Sequence, residues 1–189
     1  MPEDNIYFDR LYKKKKNFSF PVDLESLTYI FTNLKKGKVL DIGTGESGNF
    51  IELAKKGFDV TVLDISDKII EEIKKQANKE NIKIRAIAQD ISKFQFKENY
   101  DVILSIAVFH FLTRQDAINL IQNMKSHTNK RGINIIIAFR KSSLNQSQED
   151  SFYVEDDELK EVYSDWKILE FENYNENEDK LSFIVAKNG

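Results

Sequence analysis

Apolar positions along the chain alternate between two periods. Leu27, Ile30, Phe31 and Leu34 recur at the three-and-four spacing of one helical face, and Gly37 follows as a stop. Lys38–Ile42 reads as a short apolar strand. A glycine-rich turn then leads into a second helix carrying Phe50, Ile51 and Ala54, closed by Gly57. Strand Val60–Leu63 follows, and Ser66 is placed to cap a helix whose apolar face is Ile69, Ile70, Ile73 and Ala77. Ile82–Ile87 and Tyr100–Ala107 read as the third and fourth strands. Thr113 with Asp116 resembles a capping box ahead of Ala117, Leu120, Ile121 and Met124, and Ile133–Phe139 is a fifth strand.

Strands separated by helices of this length require right-handed crossovers, and these build a parallel sheet. The end of the chain departs from that rhythm. Glu155–Tyr163 reads as a helix, and Lys167–Glu172 and Lys180–Ala186 as strands joined by Asn173–Asp179. That connection is too short for a crossover, so the two strands are expected to pair antiparallel. The pattern predicts an α/β, doubly wound, mostly parallel sheet of seven strands. Lys141–Asp150 is a long polar loop. Residues 1–20 are expected to form an N-terminal arm or lid on a single domain spanning 21–189.

Composition narrows the function classes. The chain has 189 residues, 41% of them apolar and 31% charged, with a formal charge of −3. This suits one folded domain, and the slight acidity argues against a general nucleic-acid binder. Without cysteine there is no disulfide, thiolate metal site or cysteine nucleophile. Two histidines, His110 and His127, cannot build a multi-histidine zinc centre; a carboxylate magnesium site stays open in principle, though no metal is expected. Apolar runs are too short to span a bilayer, and the acidic first residues lack a signal-peptide core. A cytoplasmic protein without membrane partners is expected, as a monomer or homodimer.

The chemistry concentrates after the first strand. Gly43, Gly45 and Gly48 satisfy G-x-G-x-x-G, with a strand before them, a helix after them, and Asp64 ending the next strand. This is a nucleotide-binding pattern in which the backbone approaches a ligand and the acid holds ribose hydroxyls. Charge discriminates among nucleotides. Asp41 lies two residues before Gly43 and Glu46 lies within the turn, so a pyrophosphate would meet a repulsion of ~1–4 kcal/mol. An ammonium and a sulfonium would instead be attracted.

Asp41-x-Gly43-x-Gly45, Asp64 and Gln89-Asp90-Ile91 resemble the class I S-adenosylmethionine-dependent methyltransferases. The resemblance implies a Rossmann-like fold whose last strand runs antiparallel between the fifth and sixth. It also implies S-adenosyl-L-methionine as cofactor. Gly43, Thr44 and Gly45 would lie against its methionine moiety and Asp64 would hold the ribose. Asp90 would accept from the adenine amino group, with Ile65 and Ile91 on either side of the ring. Tyr100–Ser105, Phe111-Leu112, Asn123-Met124, Phe152 and Glu158-Leu159 more narrowly resemble the tellurite-resistance, TehB-like methyltransferases, as do Tyr7-Phe8 and Tyr12. Those proteins methylate small soft nucleophiles, among them thiols and metalloid oxyanions. Their usual cysteine in the glycine turn is Thr44 here. The Asn173–Lys180 stretch lacks the histidine and arginine of that group, which disfavours an oxyanion.

On the acceptor side, Ser105, Phe109, His110 and Phe111 follow the fourth strand, where a parallel sheet opens to ligands. Ser105 is assigned to the cofactor. His110 is the candidate general base or orienting hydrogen-bond partner. Tyr7, Phe8, Tyr12, Phe109, Arg140 and Phe152 are candidate acceptor contacts. The function expected is methyl transfer to a small molecule. An NAD(P)-linked oxidoreductase and a non-catalytic S-adenosylmethionine-binding module are the alternatives.

Overall fold

The computed structural model describes residues 9, 10, 12, 13, 23–142, 151–176 and 179–189. Contacts divide the chain into two compact units, Met1–Gln95 and Phe96–Gly189.

The first unit carries α1 (Leu24–Asn33), β1 (Lys38–Ile42), α2 (Asn49–Lys55), β2 (Asp59–Asp64), α3 (Asp67–Lys79) and β3 (Arg85–Ala88). Its three strands pair in parallel, Asp41 opposite Val62 and Asp64 opposite Ala88. Both long helices begin on a side-chain cap. Asp23 accepts from the Glu25 and Ser26 amides, and Ser66 from the Ile69 amide. Val39, Leu40, Ile42, Val60, Val62 and Leu63 are buried, as are Ile69, Ile70, Ile73 and Ala77 of α3, which packs against β2 and β3. The third strand starts later than the expected Ile82. The reason is the end of α3: Asn81 takes a positive φ of 53° and the Ile82 amide closes onto the Ala77 carbonyl at 3.0 Å. Ile82 therefore finishes a helix instead of starting a strand.

The second unit carries β4 (Tyr100–Ile106), α4 (Arg114–Ser126), β5 (Thr128–Phe139), α5 (Glu158–Val162), β6 (Lys167–Glu176) and β7 (Asp179–Lys187). Thr113 caps α4 as expected, accepting from the Asp116 amide. Strand β5 begins at Thr128 rather than Ile133, because its register against β4 shifts between Tyr100 and Val102. Glycine makes that irregularity possible. A Cβ at Gly132 would meet Thr128 Cγ2 at 2.7 Å and the Asp101 carbonyl at 2.9 Å. Helix α5 is shorter than expected: Asp156 and Asp157 form a turn ahead of it, after Val154 bridges Arg140 and donates its amide to the Phe139 carbonyl at 3.0 Å. The final connection is also shorter than expected. Residues assigned to it pair instead, Asn173 with Ser182, Tyr174 with Leu181, and Glu176 with Asp179.

In strand order the sheet runs β3-β2-β1-β4-β5-β7-β6, with β7 antiparallel to both its neighbours, as expected. One set of buried polar side chains in the second unit is matched in series. Thr128 Oγ1 donates to Asn134 Oδ1 at 2.7 Å, and Asn134 Nδ2 donates to the Tyr163 hydroxyl at 3.0 Å. Among the described residues no helix is long and apolar enough to cross a membrane.

Candidate active site

The turn after β1 bends on two residues in the left-handed region, Gly43 at φ 64° and Gly45 at φ 50°, which glycine adopts without a Cβ penalty. Three of its amides are committed to protein acceptors. Gly43 and Thr44 both donate to the Leu63 carbonyl, at 2.7 and 3.2 Å, and Gly45 donates to Asp64 Oδ2 at 2.8 Å. Asp64 Oδ1 accepts from the Ser66 amide at 3.0 Å. The acid expected to hold a ribose thus also ties the ends of β1 and β2 together, and its oxygens retain lone pairs for hydroxyl donors.

Asp41 is 2% exposed and accepts from Thr44 Oγ1 at 2.9 Å. Burial pushes its carboxyl up to about 7, with the Thr44 bond opposing and the charges of Asp64 and Asp23 adding. Asp64 is raised too, chiefly by burial, against hydrogen bonds from Ser66, Gly45 and Ile65. Asp90 follows β3 and is more open. Burial raises its carboxyl, yet bonds from Ser92 and Lys93 outweigh this and leave it below the usual range. The Lys93 ammonium lies 3.0 Å from its Oδ2. Ile65 and Ile91 flank Asp64 and Asp90 in sequence, half-buried.

Tyr12 belongs to the same unit. A Cβ at Gly45 would lie 3.3 Å from its hydroxyl, so the phenol sits against the glycine turn. Burial, then the charges of Asp64 and Glu46, raise its pKa and keep the phenol protonated. Tyr7 and Phe8 lie outside the described residues.

The second unit holds the other candidates. Ser105 is fully buried on β4, and its hydroxyl has no hydrogen-bond partner among the described residues. His110 lies in the short 3-10 turn Phe109–Phe111, among the rings of Phe111, Phe139 and Tyr153 at 3.8, 4.6 and 6.3 Å between centroids. Burial lowers its pKa to about 4, against the opposing charge of Asp179. Phe109 and Phe152 are buried and pack edge-on at 6.1 Å, with the Arg114 guanidinium 5.2 Å from the Phe152 ring. Arg140 pairs with Asp156 at 2.9 Å, and its amide donates to the Lys180 carbonyl at 2.8 Å. Phe111 is 54% exposed.

Three features were not foreseen. Asn49 is buried at the start of α2 and accepts from the Asp23 amide at 2.8 Å, linking the glycine turn to α1. Asp9 bonds Ser66 and the Lys68 amide. Ala107, just past β4, holds φ 53°. Only Asn49 had a local signal, a polar residue at the first position after the glycine turn.

The fold is that of the Rossmann-like methyltransferases. Magnesium protoporphyrin IX methyltransferase (ChlM) from Synechocystis, with bound SAH, matches it at TM-score 0.70 and 17% identity, over 88% of this chain and 80% of that one. Within that class a family model, "Tellurite resistance protein TehB", matches residues 4–187, and the chain belongs to this family. The "Probable S-adenosyl-L-methionine-dependent methyltransferase TehB" of Haemophilus influenzae is 40% identical over 76% of this chain and 50% of the relative. The crystal structure of TehB from Haemophilus influenzae matches at TM-score 0.78 and 30% identity, over 97% of this chain and 66% of that one. The chain spans about half the length of the curated TehB relatives it matches.

Proposed function

We propose that the chain transfers a methyl group from S-adenosyl-L-methionine to a small molecule. The observation that carries this reading is Asp41, a buried carboxyl pushed up to about 7 at the mouth of a glycine turn. Keeping that acid where pyrophosphate would sit is unfavourable. Keeping it beside an ammonium or sulfonium offsets the cost of burying its charge. The names of the TehB relatives, which specify S-adenosyl-L-methionine dependence, support the same reading, and the NAD(P) alternative is not favoured.

In this reading Gly43, Thr44 and Gly45 border the methionine moiety. Asp64 accepts from the ribose, and Asp90 from the adenine amino group beside Ile65 and Ile91. The cofactor supplies an electrophilic methyl on a sulfonium, and the protein orients the acceptor and keeps water away. His110, with its pKa near 4, is neutral at neutral pH and a poor proton acceptor for an amine or alcohol. Its role is an orienting hydrogen bond. The aromatic rings around it, and the acids Glu172, Glu176 and Asp179 on the final hairpin, favour a neutral or cationic molecule or a soft thiol over an oxyanion. Calorimetry with S-adenosylmethionine, S-adenosylhomocysteine and NAD, then tritiated-methyl transfer to thiol, amine and metalloid acceptors, tests this. Binding of NAD in preference to S-adenosylhomocysteine would refute it.

A further inference from the structure

Asp9 ties the described N-terminal residues to the start of α3. Its Oδ1 accepts from Ser66 Oγ at 2.6 Å and from the Lys68 amide at 3.2 Å, in the first turn of α3. Ser66 is fully buried and is the node of this corner. Its amide donates to Asp64, its hydroxyl donates to Asp9, and the same hydroxyl accepts from the Ile69 amide. Residues 9, 10, 12 and 13 are helical, so Asp9 and Tyr12, three apart, share one helical face. Fastening Asp9 to α3 therefore fixes Tyr12 against Gly45, beside the carboxylate assigned to the ribose. The Lys13 ammonium, 3.9 Å from Asp9 and well exposed, adds little.

We propose that Asp9 is a positioning residue for the cofactor: it latches the N-terminal segment to α3 so that Tyr12 closes over the glycine turn, and its release lets the cofactor product leave. The inference rests on the methyltransferase reading above. It assigns the segment to the cofactor side, where closure lengthens residence of the nucleoside. Two hydrogen bonds at one carboxylate oxygen make a latch that can open locally while the sheet stays folded.

The test is the dissociation rate of S-adenosylhomocysteine by stopped flow, with trypsin cleavage after Arg10 and Lys13 as a report on segment opening. In the wild-type protein S-adenosylhomocysteine should slow that cleavage. Asp9→Ala should release the product about tenfold faster, equivalent to ~1.4 kcal/mol, and should be cleaved readily with the product bound. Asp9→Asn should be rescued in large part, because an amide oxygen can accept the bonds that Oδ1 now accepts. Tyr12→Ala should also release faster but stay protected from trypsin, since its anchor is intact. A structural role alone would shift the melting temperature and leave this split unmoved. Wild-type release in Asp9→Ala, or no protection of the wild-type segment, would overturn the latch. A wild-type protein that binds no S-adenosylhomocysteine would overturn the methyltransferase reading itself.

Discussion

Cofactor affinity should rise with pH through neutrality, and Asp41 is the reason. Its carboxyl is fully buried and pushed up to about 7, so holding the charge at alkaline pH costs about 4 kcal/mol relative to an ordinary aspartate. The sign follows from proton counting. Between about pH 4 and 7 the folded protein retains a proton that the unfolded chain has lost, so the apo-protein loses stability as pH rises across that window. A cationic ligand reverses the local preference. It binds the ionised carboxylate and is repaid by relief of the buried charge. If only the ionised form binds, raising the pH from 5.5 to 8 should tighten S-adenosylhomocysteine by about 30-fold, with a plateau above that.

The groups facing Asp41 bear on the interpretation. Thr44 donates to it, Asp64 and Asp23 add negative charge, and Asp64 is itself raised in the same direction. Asp41→Asn isolates one contribution. An amide can still accept from Thr44, so the fold should survive and the apo-protein at pH 8 should melt several degrees higher, at ~2–4 °C per kcal/mol recovered. The same variant should bind the cofactor product weakly and with much less pH dependence. Calorimetry across pH 5.5–8.5 on both proteins measures this. A flat wild-type affinity, or an Asp41→Asn protein less stable than wild type at pH 8, would refute the reasoning.

Other outcomes follow from single contacts. Asp64→Ala should weaken S-adenosylhomocysteine by ~1.5–3 kcal/mol, the scale of hydrogen bonds to a charged group, and calorimetry reads it directly. Gly43→Val forces a β-branched residue to a φ of 64°, which should cost ~1–2 kcal/mol of stability and abolish cofactor binding in a filter assay. Tyr163→Phe removes the acceptor for Asn134 Nδ2 in a fully buried position, so urea unfolding should show a loss of ~1–3 kcal/mol with cofactor affinity unchanged.

Local chemistry made much of the fold legible. Lys38–Ile42 is an apolar strand in the sequence and in the structure, and Ser66 and Thr113 cap the helices they precede. Each signal lies within four residues of what it specifies. The positive φ of Gly43 and Gly45 belongs to the same class, since a tight strand-to-helix turn requires it. Long-range consequences were not legible. Asp9 and Ser66 are 57 positions apart, and no pattern in either neighbourhood announces their bond. The early start of β5 depends on Gly132 slipping past the Asp101 carbonyl, a contact across two strands. The low pKa of His110 depends on rings from Phe139 and Tyr153, brought in by β5 and the segment beyond it.

The glycine turn shows most clearly why a shared pattern can serve opposite charges. In a phosphate cradle the turn's amides point outward and remain available to an anion. Here Gly43 and Thr44 donate to the Leu63 carbonyl and Gly45 donates to Asp64. These three donors of the turn are already satisfied within the protein, and the acceptors beside them, Asp41 and Asp64, carry carboxylates that burial makes costly to ionise. Both changes act in one direction. Satisfied donors remove the attraction for an anion, and buried acids create one for a cation and for hydroxyl hydrogens. The geometry that lets backbone approach a nucleotide is thus retained, while the electrostatic preference of the turn is inverted. An arginine or lysine placed at position 41 would restore an anion's welcome only in part, because the amide of Gly45 would still be held by Asp64.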